Sequence, residues 1–266
     1  MMGAPQPVGD LLREWRRRRR MSQLDLALEA DISTRHLSFV ESGRAQPSRE
    51  MVLHLAERLD VPLRERNVLL VAAGFAPVFR ERALQDPALA SARRAVDLVL
   101  KGHEPHPALA IDRHWTMVAS NAAVARLVGG AEPSLLQPPI NVLRLSLHPK
   151  GVAPRIANLP EWRAHLLERL RRQIDVSADP VLVHLLEELQ GYPVAASSPK
   201  AATANKQFAG VVVPLQLVTD AGTLSLFSTT TVFGTPVDVT LSELALECFY
   251  PADAATAEAL RALAEQ

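Results

Sequence analysis

The stretch SQLDLALEADISTRHLSFVESGRAQPS, Ser22 to Ser48, reads as two short helices joined by a tight turn and followed by a loop. Ser22 precedes a run with apolar residues at Leu24, Leu26, Ala27 and Leu28, and its hydroxyl is placed to accept from the unpaired N–H groups of a first helical turn. Asp31-Ile32-Ser33 interrupts the run. Ser33 is a second N-cap, so a second helix is predicted over Thr34–Glu41, with Gly43 supplying the left-handed stop. Two helices meeting across three or four residues form the helix-turn-helix signature, in which the second helix enters the major groove of DNA. Leu37 and Val40 are spaced for one buried face. Thr34, Arg35, Ser38 and Phe39 fall on the other faces and carry chemistry suited to base edges.

Outward from this core, a helix is predicted over about Gly9–Arg19, and amphipathic helices over Ser48–Val61 and Leu63–Gly74. Together these make an all-α five-helix domain over residues 1–75. Pro77 and Pro87 mark a connection over 76–90, and a second domain is expected over 91–266. Arg16 to Arg20 are five consecutive arginines. On a helix successive residues point about 100° apart, so they form no continuous patch. One or two are expected to touch phosphate, which supplies affinity and salt dependence but not sequence choice; the rest are read as a solvated face.

The composition, 48% hydrophobic and 22% charged over 266 residues, fits a globular chain with length enough for two domains. Residues 1–75 hold 12 Arg and no Lys against 10 acidic residues, a net charge of only +2, balanced by −2 in the remainder. Overall charge therefore does not reveal a DNA partner. No apolar run of about 18 residues suggests a membrane span, and the charged N-terminal region lacks the apolar centre of a secretion signal. A single cysteine, Cys248, excludes an intrachain disulfide and a cysteine-based zinc site, and it is expected to pack as a small apolar residue in a strand. A cytoplasmic location is the default expectation.

From Ala90 onward the pattern is α+β. A helix is predicted over Ala90–Lys101 and short strands over Ala108–Asp112 and Trp115–Ser120, around an Arg113-His114 turn. Asn121 opens an alanine-rich helix, and further helices are predicted over Asn141–His148, Pro160–Val176 and Pro180–Gln190. FAGVVVPLQLV and GTLSLFSTTTVFG, joined by Thr219-Asp220-Ala221-Gly222, read as a β-hairpin. A third strand is expected over Ser242–Tyr250, then a closing helix over Asp253–Glu265 capped by Asp253. Strands first and last with helices between them predict a mostly antiparallel five-stranded sheet carrying helices on one side.

The N-terminal pattern, present as Ser22, Gln23, Leu26, Ala27, Ile32, Ser33, Leu37, Ser38, Val40, Glu41, Gly43, Pro47 and Ser48, closely resembles the lambda-repressor-like, or XRE-type, DNA-binding domains. That resemblance implies that Gln23 caps its helix toward a DNA phosphate, Thr34 and Arg35 reach base edges, Arg44 contacts phosphate, and Phe39 packs on thymine methyl groups. It also implies a structural pair between Arg16 and Glu41. Arg20 departs from the family, which usually has Gly there, and would have to take a left-handed or irregular conformation at roughly 1–2 kcal/mol.

The order of elements in the second domain resembles a PAS-like sensor. More narrowly, Asp112-Arg113-x-Trp115, Asn121, the stretch from Asn141 to Pro149, Gly234-Thr235-Pro236-x-Asp238 and Phe249-Tyr250-Pro251-x-Asp253 resemble the MmyB-like transcriptional regulators. This implies a C-terminal ligand-binding module taking a fatty acid or similar apolar molecule. A sheet face with Trp115, Met117, Leu215, Leu217, Leu226 and Phe227, under helices bearing Leu143, Leu147, Trp162 and Leu166, is the candidate pocket, with Arg144, His148 or Arg155 pairing a carboxylate. For each of these apolar residues the commoner role is ordinary core packing, since an apolar stripe at the structural period is expected in any domain.

No metal or catalytic constellation accompanies these residues. His103, His106, His114, His148 and His165 are scattered, and no hydrolase, metalloprotease, dinucleotide or phosphate-loop motif is present. Ser197-Ser198-Pro199-Lys200 matches S-x-x-K by coincidence, inside a connection over 194–206 expected to be mobile or to cover the pocket. The expectation is a non-enzymatic homodimer on a double-stranded operator, because one recognition helix reads too few base pairs and two about 34 Å apart address successive major grooves. The alternatives are a C-terminal docking or dimerisation module without ligand and a degenerate enzyme fused to a DNA-binding domain.

Overall fold

A computed structural model describes residues 6–193, 212–234 and 238–265. The connection expected over 194–206, with its S-x-x-K match, lies outside these residues. Backbone contacts divide the chain into two compact units, one of Met1–Ala83 with Asp175–Ser177 and Thr235–Ser242, the other of Leu84–Ile174, Ala178–Gly234 and Glu243–Gln266.

The first unit holds α1 (Val8–Arg18), α2 (Gln23–Glu29), α3 (Thr34–Glu41), α4 (Arg49–Arg58) and α5 (Leu63–Ala72). Three serines set the starts of the middle helices. Ser22 Oγ accepts from Asp25 N while Asp25 Oδ2 accepts from Ser22 N, a reciprocal cap. Ser33 and Ser48 accept from His36 N and Met51 N. Gly43 takes φ +72° after α3, and Arg20 takes φ +55° after α1, so the arginine does adopt the left-handed turn that glycine would enter without strain. Leu12, Leu26, Leu37, Val40, Leu55 and Leu70 are fully buried at the centre. Leu24 and Leu28, apolar in the same run, are instead 56% and 72% exposed, because steps of about 100° carry them off the face that holds Leu26 and Ala27.

Close approach of α1 to α3 depends on Gly9. A Cβ there would lie 2.5 Å from the Val40 carbonyl oxygen and 2.7 Å from that of Glu41. Gly9→Ala is expected to lower stability by about 1–3 kcal/mol through overpacking, despite alanine's better helix propensity. A urea midpoint at or above that of the unaltered chain would refute this.

The arginine run is largely spent on the fold. Arg16 pairs with Glu41, Arg19 donates to the Leu59 and Asp60 carbonyls at the end of α4, and Arg18 pairs with Glu14. Arg17 and Arg20 are exposed. The segment after α5 is also held. Asn67 Oδ1 accepts from Val78 N and Phe79 N, Arg64 grips Glu81 at 2.6 and 2.7 Å, and Arg80 O and Arg82 O accept from Val239 N and Thr240 Oγ1.

The second unit contains α6 (Ala90–Gly102), β1 (Ala108–Ile111), β2 (Met117–Ser120), α7 (Ala122–Leu127), α8 (Val142–Leu147), α9 (Leu159–Ser177), α10 (Pro180–Gln190), β3 (Leu215–Thr219), β4 (Gly222–Val232), β5 (Ala245–Pro251) and α12 (Ala254–Ala264). The intervening α11 (Val239–Ser242) falls in the first unit. The sheet order is β2-β1-β5-β4-β3, with every neighbouring pair antiparallel. The hairpin turns at Thr219 and Gly222, as its sequence implied.

Helices do not lie on one side only. All four residues of β1 are buried. Leu109 and Ile111 join the core with α8 and α9, whereas Ala108 and Ala110 pack with Val96 and Leu100 of α6. The alternation in this strand is large against small, not apolar against polar, so its second face also needs cover. The small residues let α6 approach closely.

Candidate functional site

On the first unit, α3 presents Thr34 and Arg35 exposed at its start, with Ser38 and Phe39 half-buried further along. The Phe39 ring lies under two guanidinium groups, Arg35 at 5.4 Å and Arg44 at 5.9 Å from its centroid. An i,i+4 step along the helix and the turn after Gly43 bring the three together. The contacts are of cation–π type, and they restrict Arg35 before any base is met. Ser33 spends its side chain on the cap of α3. Gln23 Nε2 donates to Glu41 Oε2 at 2.8 Å, so the amide is tied to the inter-helix pair that sets α3.

That pair is bidentate: Arg16 Nε and Nη2 donate to Glu41 Oε1 and Oε2 at 2.7 and 2.8 Å. Burial alone would raise the Glu41 carboxyl; the Arg16 guanidinium, the Gln23 amide and the charge of Arg13 together hold it below its ordinary value.

On the second unit, a cavity of about 120 Å³ lies between the sheet and helices α7, α8 and α9. Of the residues the sequence proposed, Trp115, Met117, Leu143, Trp162 and Leu166 line it, together with Leu215, Leu217 and Leu226. Arg144, Leu147, His148 and Phe227 do not. Arg144 sits one step of about 100° round α8 from Leu143 and turns to Glu188 of α10, bonding it at 2.7–3.0 Å. Leu147 is buried in the surrounding core. His148 packs edge-on against Tyr192, and Phe227 stacks on Tyr250 because it alternates with Leu226 across the strand. Arg155 donates to the Leu127 carbonyl.

The polar wall comes from residues the sequence did not single out. Arg169 of α9 donates to both oxygens of Glu247 on β5, at 2.8 and 3.0 Å. Ser228 and Thr230 of β4 donate to the same carboxylate at 2.6 and 3.2 Å. Glu247 is 5% exposed. Burial alone would raise its carboxyl, but Arg169 and the two hydroxyls hold it below the ordinary range. The available signal was a lone glutamate in the apolar strand Ala245–Pro251. Its neighbour Cys248 is buried, and burial together with the Glu247 charge pushes its thiol up, which makes it unreactive.

Residues shared with the MmyB-like pattern build the frame. Asp112 Oδ1 accepts from His114 N and Thr116 N, closing a turn in which Trp115 takes φ +65°. The Trp115 ring then lies under the Arg169 guanidinium at 4.9 Å, with Nε1 on Gln173. Asn121 makes no cap bond to α7; its side chain is buried and ties Ala108 N, Leu100 O and His106 O together. Asn141 caps α8 and donates to His114 O.

Among the described residues no group of three or more His, Cys, Asp or Glu side chains is arranged to hold a metal, and no helix is long and apolar enough to cross a membrane. No curated protein matches the chain. A helix-turn-helix family model matches residues 12–66. The MmyB-like transcription regulator ligand binding domain matches residues 92–263, well over half of the chain. The protein is therefore a DNA-binding transcription regulator of the MmyB-like family, with an XRE-type helix-turn-helix domain followed by that family's ligand-binding domain.

Proposed function

We propose that this regulator reads its operator through Thr34, Arg35, Ser38 and Phe39 of α3, and that a small apolar molecule in the cavity of the second unit modulates operator binding. The observation that carries the reading is the cavity itself, about 120 Å³ and walled mainly by apolar side chains. A ligand-free docking module has no need of such a space, and a filled core would have favoured it. A ligand changes operator affinity only if it binds the DNA-competent and DNA-incompetent arrangements unequally. Covalent continuity offers a route: residues 238–242 belong to the first unit, yet in sequence they join β4 and β5, both of which line the cavity. Two copies on successive major grooves supply the specificity that one helix lacks.

The test has two arms. Arg35→Ala should weaken operator binding and relax its selectivity by about 1–3 kcal/mol at one base position, with the fold intact. Unchanged selectivity would remove Arg35 from base readout. Native and then denaturing mass spectrometry of the purified protein, with solvent extraction, should detect a co-purifying apolar molecule such as a fatty acid. That compound is then titrated against operator binding, and an unaltered operator affinity would refute modulation.

A further inference from the structure

Phe39 shares a face of α3 with the exposed Arg35, and its ring is half-buried without joining the apolar core of the unit. Its carbonyl oxygen accepts from Arg44 N at 2.8 Å and from Ala45 N at 3.0 Å, so the chain that turns left-handed at Gly43 closes back onto this residue. Arg44 is thereby fixed beside the ring, as the i,i+4 step fixes Arg35. The two guanidinium carbons lie 5.9 and 5.4 Å from the ring centroid, within cation–π range. Among the described residues neither arginine has a carboxylate partner, in contrast to Arg13, Arg16 and Arg18.

A cation–π contact engages the charge of a guanidinium and consumes none of its five N–H donors. Arg35 is therefore restricted in position while its donors stay available. A planar fork of donors matches two acceptors set side by side. In the major groove guanine alone presents two acceptors on one base, O6 and N7; adenine offers an acceptor and a donor, thymine an acceptor and a methyl group. A ring that meets two charges is also a better support for them than an apolar seat for that methyl group.

We propose that Phe39 is a positioning residue in operator recognition, holding Arg35 for bidentate readout of a guanine instead of contacting a base itself. The proposal rests on the reading of α3 as the base-contacting helix. The gain is entropic: a long side chain ordered before binding loses less freedom when it docks.

The experiment selects sites from a randomised double-stranded DNA pool with the full chain, at one fixed salt concentration because phosphate contacts make affinities salt-dependent. Selected sites should hold one guanine per half-site whose replacement by adenine weakens binding by about tenfold or more, a preference that Arg35→Ala removes. Phe39→Leu should lower the guanine-over-adenine ratio by roughly fivefold, the order expected for one side chain left unordered, and Phe39→Tyr, which keeps the ring, should retain it. Urea midpoints of the variants check the fold, with Phe39→Met as a second ringless variant. A guanine preference that Arg35→Ala removes but both ringless variants leave intact overturns the positioning role and spares the base-reading helix. A loss in the ringless variants confined to a thymine position makes Phe39 a reader in its own right, and a loss shared by Phe39→Tyr removes the ring as the cause; either result overturns the proposal, as does the lack of a guanine in the selected sites. Arg35→Ala without effect at any position refutes the underlying assignment of Arg35 to base readout.

Discussion

Replacing Glu41 with alanine is expected to destabilise the helix-turn-helix unit by about 3–5 kcal/mol, because it leaves the Arg16 guanidinium without its counter-charge at a buried position. The Glu41 side chain is 0% exposed and that of Arg16 10%, and Gln23 Nε2 loses its acceptor in the same change. The double variant Arg16→Met/Glu41→Leu should recover most of the loss, since a buried pair replaced by apolar residues of similar size is often neutral. A double-mutant cycle by urea denaturation measures the coupling, and a single-variant loss under about 1 kcal/mol would show that the pair is solvated. The pH dependence has a defined sign. The Glu41 carboxyl lies below its ordinary value in the folded state, so its contribution is fully present above the unfolded value of about 4.3 and is lost as pH falls through the lower folded value.

Arg169→Leu is expected to have a comparable effect on the ligand-binding domain, about 3–5 kcal/mol at pH 7, by stranding the Glu247 carboxylate with only Ser228 and Thr230 as donors. Here the response to acid reverses. With Arg169 present the carboxyl is held low, and acid removes stability. Without it, burial raises the folded-state value above the unfolded one, and the variant regains stability as it takes up a proton on acidification from neutral pH. The gap between the two urea midpoints should therefore narrow from pH 7 to pH 5. A gap that stays constant would mean that Glu247 carries no buried charge in the variant. Glu247→Gln should be milder, because the amide keeps an acceptor for Arg169 and a shape close to the carboxylate.

How far the chain can be read without its structure differs between the two halves. In the DNA-binding half the determinants are local. Ser22, Ser33 and Ser48 cap the helices they precede, Gly43 and even Arg20 turn left-handed where the pattern required it, and Thr34–Glu41 forms the recognition helix. Each depends on neighbours within about four residues, so the order of residue types is sufficient. The same holds for α10, which spans Pro180–Gln190, and for the hairpin that turns at Thr219 to Gly222.

The site in the second half is assembled from long range, and there periodicity runs out. Periodicity distinguishes the face of a helix that is covered from the one that is not, but not what covers it. Leu143 and Leu147 share a face of α8, yet only Leu143 reaches the cavity; Arg144, a plausible carboxylate partner by type, is claimed by Glu188 at a separation of 44 residues. The pair that sets the polarity of the wall, Arg169 and Glu247, is 78 residues apart. Asn121 stands where a helix cap is expected and instead bridges three backbone groups of the frame. Local sequence determined the recognition helix, the caps and turns and most of the strands, because short-range hydrogen bonds and alternation settle them. Which charges cancel, which apolar faces meet and how much space remains between them were decided only by tertiary packing, since those energies depend on side chains that the sequence sets far apart.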